Sequence, residues 1–191
     1  MRSGILPADF FKKNRSKLIE RLPPRTMAVI CSNYKMPRNG DQYYPYRQNS
    51  DFYYLTGIEQ EESILLIIPD HPEAIFREHL LILQPTPQME IWEGHKLSRE
   101  EAGTLSGIEG ISWIEEFDGI IADSIKYVEN LYFNFPENQA ASISIYNNSG
   151  QMVMEEKYID NSINISELNK GVYLLMIRGK NNNYKTKFVV K

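Results

Sequence analysis

The sequence changes its rhythm close to Gln139, and this change constrains the fold more than any other feature. Before it, short apolar runs alternate with segments whose apolar residues recur at helical spacing, which is typical of strands alternating with helices. After it, apolar and polar residues alternate over short stretches separated by turns rich in Asn and Gly. Eight of the 52 residues after Gln139 are Asn, against seven of the 139 residues up to it. The sequence therefore predicts two parts of different architecture.

Residues 1–137 predict an α/β domain, in which a sheet is covered by helices. The continuous apolar run from Ser63 to Ile68 is expected of a strand covered on both faces. The other predicted strands are Met27 to Ser32, His79 to Leu83, Ile111 to Ile114 and Leu131 to Phe135. The predicted helices are one capped by Asp9 and stopped at Pro23-Pro24, one opened by a capping box at Ser98 to Glu101, and an amphipathic one from Phe117 to Val128.

Residues 140–191 predict a small antiparallel β-sandwich. Its strands are predicted from Ser142 to Tyr146, from Gln151 to Ile159, around Ile163 and Ile165, from Val172 to Ile177 and from Lys185 to Val190. Charge also separates the parts, because residues 1–139 carry 14 basic and 21 acidic side chains, net −7, whereas residues 140–191 carry 7 and 4, net +3.

Composition excludes several classes of function. There is no basic stripe interleaved with aromatic residues, so we expect no nucleic-acid binding. The single cysteine, Cys31, excludes an internal disulfide and lies in an apolar run typical of a buried strand. The first residues show no signal peptide, and the longest apolar run, Ile64 to Pro69, is too short to span a bilayer. We therefore expect a cytoplasmic chain.

The stretch from Tyr43 to Gly57 combines aromatic residues, one Arg, one Asp and a turn glycine, and reads YYPYRQNSDFYYLTG. Its first half favours turns, whereas its second half suits a short helix or strand that ends at Gly57. From residue types alone, Arg47 and Asp51 are interpreted as an ion pair that supports aromatic packing. The alternative is a ligand site.

With Glu90 to Gly94 downstream (EIWEG), this stretch resembles the N-terminal domain of Xaa-Pro aminopeptidase, or aminopeptidase P, of the creatinase and prolidase group. The resemblance runs from about Phe10 to Phe135 and implies a mixed-sheet α/β domain of the creatinase/prolidase N-terminal type, truncated at its end. Enzymes of this family remove an N-terminal residue that precedes proline. They use two metal ions, typically manganese, bound by a C-terminal domain that we do not find in this sequence.

The resemblance also implies that the N-terminal domain mediates oligomer contacts and lines the substrate site of a neighbouring subunit. Trp92 and Asp41 match two such residues. On residue type, the alternatives are an interface or core aromatic for Trp92 and an ordinary turn residue for Asp41. Arg47, Asp51 and Gly57 are assigned to the structural motif.

No catalytic residue and no metal ligand is assigned in this chain. The histidines have no partner at metal-ligand spacing; they are His71, His79 and His95. The carboxylates of Glu59 to Glu62 and of Glu115-Glu116 are interpreted as solvated surface charges. The chain alone is therefore expected to be inactive, with no cofactor of its own.

The end of the sequence resembles a second family. The segments around Ile145 to Gln151, Leu168 to Leu174 and Lys185 to Lys191 look like the type A C-terminal sorting domain of the type IX secretion system, an Ig-like sandwich. The first strands of that pattern are missing, so the sandwich is expected to be incomplete. This resemblance implies secretion machinery as a partner and a secreted or cell-surface location.

Three hypotheses follow. The first is a non-catalytic assembly domain of a Xaa-Pro aminopeptidase joined to a secretion-sorting tail, with a homo-oligomer or a catalytic domain of the same family as partner. The second is a secreted β-sandwich binding or sorting module that carries the α/β part as cargo. The third is an artificial fusion without native function. Because the missing strands leave an open edge on each sheet, we also expect dimerisation or strand exchange.

Overall fold

The structure, a computed structural model, describes residues 6–134, 142–157, 162–178 and 183–190. Within these ranges the helices are α1 (Ala8–Ile19), α2 (Ser50–Thr56), α3 (Pro87–Glu93), α4 (Arg99–Ser106) and α5 (Phe117–Ser124). The strands of the first part are β1 (Thr26–Cys31), β2 (Pro37–Asn39), β3 (Gln42–Tyr43), β4 (Ile64–Ile67), β5 (Glu78–Ile82), β6 (Gly110–Trp113) and β7 (Asn130–Asn134). Those of the second part are β8 (Ser142–Asn147), β9 (Met152–Lys157), β10 (Ser162–Asn164), β11 (Gly171–Arg178) and β12 (Asn183–Val190).

A six-stranded mixed sheet forms the centre of the molecule, with strand order β10-β7-β1-β4-β5-β6. Strand β1 is parallel to β7 and antiparallel to β4, and β5 is parallel to β6. Every residue of β1 and β4 is buried, as expected for strands covered on both faces. The predicted mixed α/β sheet is thus confirmed.

Helices cover both faces of this sheet. Along β1, Ala28 and Ile30 face the side covered by α1, α2 and α4, whereas Met27 and Val29 face the side of α5. The capping box at Ser98 opens α4 as predicted, and α5 continues into a 3-10 turn. The prediction that Asp9 caps α1 is wrong, because Pro7 is the N-cap and Asp9 lies inside the first turn.

The second part forms a four-stranded antiparallel sheet with strand order β12-β11-β8-β9. Its inner face carries a set of buried apolar side chains that share one core cluster with α5 and the six-stranded sheet; they are Ile143, Ile145, Tyr173, Leu175 and Phe188. The two predicted parts are therefore packed on each other. The predicted incomplete Ig-like sandwich is not confirmed, since four of the five described strands of this part make one sheet whose inner face is covered by the α/β part, and the fifth, β10, lies elsewhere.

Strand β10 of the second part is not in this four-stranded sheet. It is an edge strand of the six-stranded sheet. It runs antiparallel to β7, pairing Ser162 with Tyr132 and Asn164 with Asn130. The Ile165 N–H extends the ladder by donating to the Glu129 carbonyl at 2.7 Å. Strand β7 would otherwise present a row of unpaired backbone groups, so β10 satisfies an edge that the α/β part leaves open.

Candidate functional site

Trp92 lies on α3 with its side chain turned to solvent, and 81% of its surface is exposed. Its neighbour Ile91 is 78% exposed, and α3 contains no buried residue. The helix begins at Pro87, whose fixed φ suits a first helical position, and the Thr86 hydroxyl accepts the Met89 N–H at 3.2 Å. Trp92 is therefore not a core aromatic, and its indole is open to contact with another molecule.

Asp41 lies at the tip of the β2–β3 hairpin and is exposed. The turn passes through Gly40 at a φ of +51°, a conformation that glycine adopts without strain. At the base of the hairpin, the Tyr44 N–H donates to the Met36 carbonyl at 2.9 Å. The structure thus presents the Asp41 carboxylate on a short projecting ribbon.

Two lysines and two glutamates connect the segments that carry Asp41 and Trp92. We call Lys35, Glu61, Glu93 and Lys96 the ion tetrad. The Lys35 ammonium lies 2.5 Å from Glu93 Oε2 and 2.8 Å from Glu61 Oε1. The Lys96 ammonium contacts the same two oxygens, 3.1 Å from that of Glu93. Lys35 precedes β2 by two residues and Glu93 follows Trp92, so the tetrad joins hairpin to helix.

The ion tetrad is partly withdrawn from water, since the side chain of Lys96 is only 5% exposed and that of Glu61 only 10%. Burial pushes the pKa of Glu61 upward, but hydrogen bonds from Lys35 and Lys96 outweigh it and hold the pKa below its ordinary value. The same two lysines lower the pKa of Glu93. Both carboxylates are therefore ionised at neutral pH, and each contacts the side-chain nitrogens of both lysines.

The structure places Glu61 differently from the sequence interpretation. We expected all the carboxylates of Glu59 to Glu62 to be solvated, but Glu61 is buried and paired with the two lysines. Its cationic partners lie 26 and 35 residues along the chain, so no local pattern marks it. Glu115 and Glu116 are exposed, as interpreted.

The predicted ion pair between Arg47 and Asp51 is wrong. Both side chains are exposed, and neither lies within salt-bridge distance of the other. Asp51 instead accepts a hydrogen bond from the Asn134 side chain at 2.8 Å. The reason is local, because Asn49 caps α2 and places Asp51 in the first, outward-facing turn of that helix.

The uncharged residues between them hold the stretch in place. Gln48 Oε1 accepts from the backbone N–H groups of Asn33 at 2.9 Å and Asn49 at 2.8 Å. Its Nε2 donates to the carbonyls of Ile58 and Gln60. The residue types of this run predict side-chain-to-backbone hydrogen bonds, but the predicted pair was that of the neighbouring charges, Arg47 and Asp51, and did not include Gln48. The resulting α2 resolves the alternative between helix and strand in favour of helix.

Gly57 ends α2 in the left-handed region, with a φ of +72°. A Cβ built there would lie 2.4 Å from a ring carbon of Phe11, so the position requires glycine for space as well as for conformation. The Phe11 ring is buried and belongs to α1. Gly57 therefore lets α1 and α2 approach closely and ends α2 at the residue where the sequence predicted the end of this element.

The metal chemistry of the family has no counterpart in the described residues. Within residues 6–134, 142–157, 162–178 and 183–190, no group of three or more His, Cys, Asp or Glu side chains is arranged to hold a metal ion. His79 is buried, while His95 is exposed beside Glu101. Cys31 is buried in β1, and burial raises the pKa of its thiol to about 12. In the same described residues no helix is long and apolar enough to cross a membrane.

Known proteins match the two parts of the chain separately. The family model for the aminopeptidase P N-terminal domain matches residues 11–132, and that for the secretion system C-terminal sorting domain matches residues 127–191. The Xaa-Pro aminopeptidase of Haemophilus influenzae is 28% identical over 127 residues, which are 66% of this chain and 29% of that protein. The Xaa-Pro aminopeptidase of Escherichia coli is 32% identical over 102 residues, 52% of this chain and 22% of that protein.

Solved structures give the same family. An aminopeptidase of Pseudomonas aeruginosa superposes with a TM-score of 0.63 at 26% identity, covering 70% of this chain and 30% of that one. Aminopeptidase P of Escherichia coli with the inhibitor Pro-Leu superposes with a TM-score of 0.60 at 25% identity, covering 69% and 30%. The chain thus spans less than a third of the length of these relatives. The protein belongs to the aminopeptidase P N-terminal domain family, over residues 11–132, and continues into a secretion-system sorting domain.

Proposed function

We propose that this chain is the non-catalytic N-terminal domain of a manganese-dependent Xaa-Pro aminopeptidase, joined to a sorting tail of the type IX secretion system. In this role Trp92 and Asp41 line the substrate site of a catalytic domain on a neighbouring subunit. One observation carries the proposal: in the part of the chain that resembles the family, Trp92 is exposed on a helix with no buried residue. The core of the described residues does not include this tryptophan.

The chemistry of the two side chains suits an Xaa-Pro peptide. An indole offers a flat apolar surface to a proline ring, and a carboxylate offers charge-assisted hydrogen bonds to an N-terminal ammonium. Both groups are exposed, and the ion tetrad connects the segments that bear them. Each would contribute to binding and orientation of the substrate, and neither would act on the peptide bond itself.

Manganese belongs to the catalytic domain in this proposal. The described residues of this chain offer no ligand cluster that fits such an ion. The carboxylate that follows Trp92 in the sequence, that of Glu93, is already bound by Lys35 and Lys96. No step through the metal is therefore assigned to this chain.

The proposal is tested by assaying cleavage of an X-Pro dipeptide with added manganese. The chain is measured alone, and again mixed with an isolated catalytic domain of the same family. We expect no activity from the chain alone and a changed rate in the mixture. The change should be lost in Trp92→Ala and reduced in Asp41→Asn, with both variants still folded by circular dichroism.

Two control variants keep the test specific. Ile75→Ala removes an exposed apolar side chain from a different element, and Asp123→Asn removes an exposed carboxylate from α5. Both should leave the rate of the mixture unchanged. Activity from the chain alone, or a mixture that Trp92→Ala does not alter, would overturn the proposal.

The sorting tail supports a second candidate function, a secreted module in which the β part is recognised by the secretion machinery and the α/β part is cargo. Its support is the family match over residues 127–191. We further propose that these residues are the end of an Ig-like sandwich whose first strands are missing. In this chain α5 covers the inner face of the remaining sheet in place of those strands. Export of the chain behind an added signal peptide, in a host with a type IX system, tests this candidate; retention of the chain in the periplasm would exclude it.

A further inference from the structure

We infer that the ion tetrad is a positioning device that sets the distance and orientation between Asp41 and Trp92. The inference rests on the proposed function, because it concerns how the substrate-lining pair is held. It assigns a role to Lys35, Glu61 and Lys96, which do not themselves line the proposed substrate site.

The helix that carries Trp92 needs such a device. Helix α3 has seven residues, none of them buried, so apolar packing does not hold it against the core. A helix of this length is unstable on its own in water. Its N-terminal end is capped by Thr86, and at its C-terminal end, next to Trp92, Glu93 forms ion pairs with Lys35 and Lys96.

The hairpin that carries Asp41 has the same weakness. Strands β2 and β3 form a separate two-stranded sheet, and all of their residues are exposed. An isolated two-stranded ribbon is at best marginally stable. Lys35, at its base, contacts both carboxylates of the ion tetrad. Within residues 6–134 the ion tetrad thus joins the hairpin base to α3, and no residue of β2, β3 or α3 is buried.

The buried half of the tetrad attaches both segments to the domain. Glu61 lies three residues before β4, and Lys96 lies beyond the C-terminal end of α3. Beside them, Gln60 Oε1 accepts the Leu97 N–H at 2.8 Å and fixes the chain after Lys96. Because each ammonium bridges the same two carboxylate oxygens, loss of one member leaves the others imperfectly paired.

The relative position of hairpin and helix is measured directly by double electron–electron resonance. Spin labels are attached to cysteines introduced at Gln42 on the hairpin and Gln88 on α3, both exposed. The native Cys31 is buried and has a pKa raised to about 12, so it should resist labelling. The starting chain should give one narrow distance distribution.

The test variants are Lys35→Met and Glu93→Gln, which remove charge with little change in length. We expect both to broaden or split the distance distribution while the melting temperature falls only slightly. Lys35→Arg, which keeps the positive charge, should retain the narrow distance distribution of the starting chain. The matched controls Lys13→Met and Glu20→Gln, on the exposed surface around α1, should leave it unchanged. A narrow, unshifted distribution in both test variants would overturn the inference.

The functional consequence is measured in the mixture with the catalytic domain. Lys35→Met should reduce the contribution of this chain to kcat/KM by about 10- to 100-fold, because small displacements of positioning groups carry costs of that size. The two failures are distinguishable. If Trp92→Ala has no effect, the proposed function fails whatever the spin labels show. If Trp92→Ala has an effect but Lys35→Met has none on rate or distance, only the positioning role fails.

Discussion

Ile163 of β10 is paired with Leu131 of β7, so a strand from the sorting-domain part forms one edge of the α/β sheet. Ile163 is buried in the core cluster that also contains Phe133 and Phe188. The two family matches overlap only between residues 127 and 132, yet their cores are continuous. The tail is therefore part of the folded unit and does not hang from it as a separate module.

This shared core predicts that both parts unfold together. Ile163→Ala should lower the free energy of unfolding by about 2–5 kcal/mol, the usual cost of truncating a buried isoleucine. Calorimetry should show a single transition whose calorimetric and van't Hoff enthalpies agree. Val172→Ala, at an exposed position of the same part, is the control and should cost little. Two separate transitions, of which Ile163→Ala shifts only one, would contradict the prediction.

Gly57→Ala should destabilise the domain through two effects. The left-handed backbone costs a residue with a Cβ about 1–2 kcal/mol, and the clash with the Phe11 ring adds to this. Gly150→Ala separates the effects, because Gly150 has a similar φ of +77° but no atom within 4 Å of the added Cβ. Urea denaturation should therefore give a clearly larger loss for Gly57→Ala. Equal losses would mean that contact with Phe11 is unimportant.

Replacing Glu78, the ion-pair partner of the buried Arg15, is expected to lower the free energy of unfolding strongly. Its side chain is fully buried, donating to Glu78 Oε2 at 2.8 Å and to the carbonyls of Leu55 and Ser106. Glu78→Gln leaves that guanidinium without its counter-charge and should cost about 3 kcal/mol. Glu129→Gln breaks the exposed pair with Arg25 and should cost about 0–1 kcal/mol. Chemical denaturation of both variants measures the contrast.

His79 predicts a loss of stability in mild acid. Burial lowers the pKa of His79, with a smaller contribution from His71, while the Ile75 carbonyl and Glu116 act in the opposite direction. Between the ordinary value of about 6.5 and the lower folded value, the unfolded chain binds more protons than the folded one. The free energy of unfolding should therefore fall as pH falls below about 6.5.

The measurement is the melting temperature between neutral and mildly acidic pH. His79→Gln should flatten the pH dependence in this window, whereas the control His95→Gln, at an exposed histidine, should leave it steep. A slope that is the same in His79→Gln and the starting chain would assign the acid sensitivity to other groups.

The open sheet edges predict self-association. Strand β6 forms one end of the six-stranded sheet, and β9 and β12 form the ends of the four-stranded one. Exposed strand edges recruit other strands, so light scattering should show dimers that increase with concentration. A chain that stays monomeric at the highest accessible concentration would count against this prediction.

Features set by neighbouring residues could be predicted from the sequence. The capping box at Ser98, the buried strand at Ile64–Ile67 and the turn at Gly57 all depend on residues within one or two turns of chain. Helix α3 was not predicted, because its residues show no apolar stripe. This is expected of a helix that is held by a cap and by charges.

The sequence by itself determined the order and type of most elements, because periodicity, caps and turn residues act over short distances along the chain. The two family resemblances came from residue strings such as that from Tyr43 to Gly57. Only the tertiary structure decided that Lys35 meets Glu93, 58 residues away, and that Arg15 meets Glu78, 63 residues away. It also decided that β10 completes the α/β sheet. Such partnerships depend on which buried charges and open edges the fold brings together, and no local pattern encodes that choice.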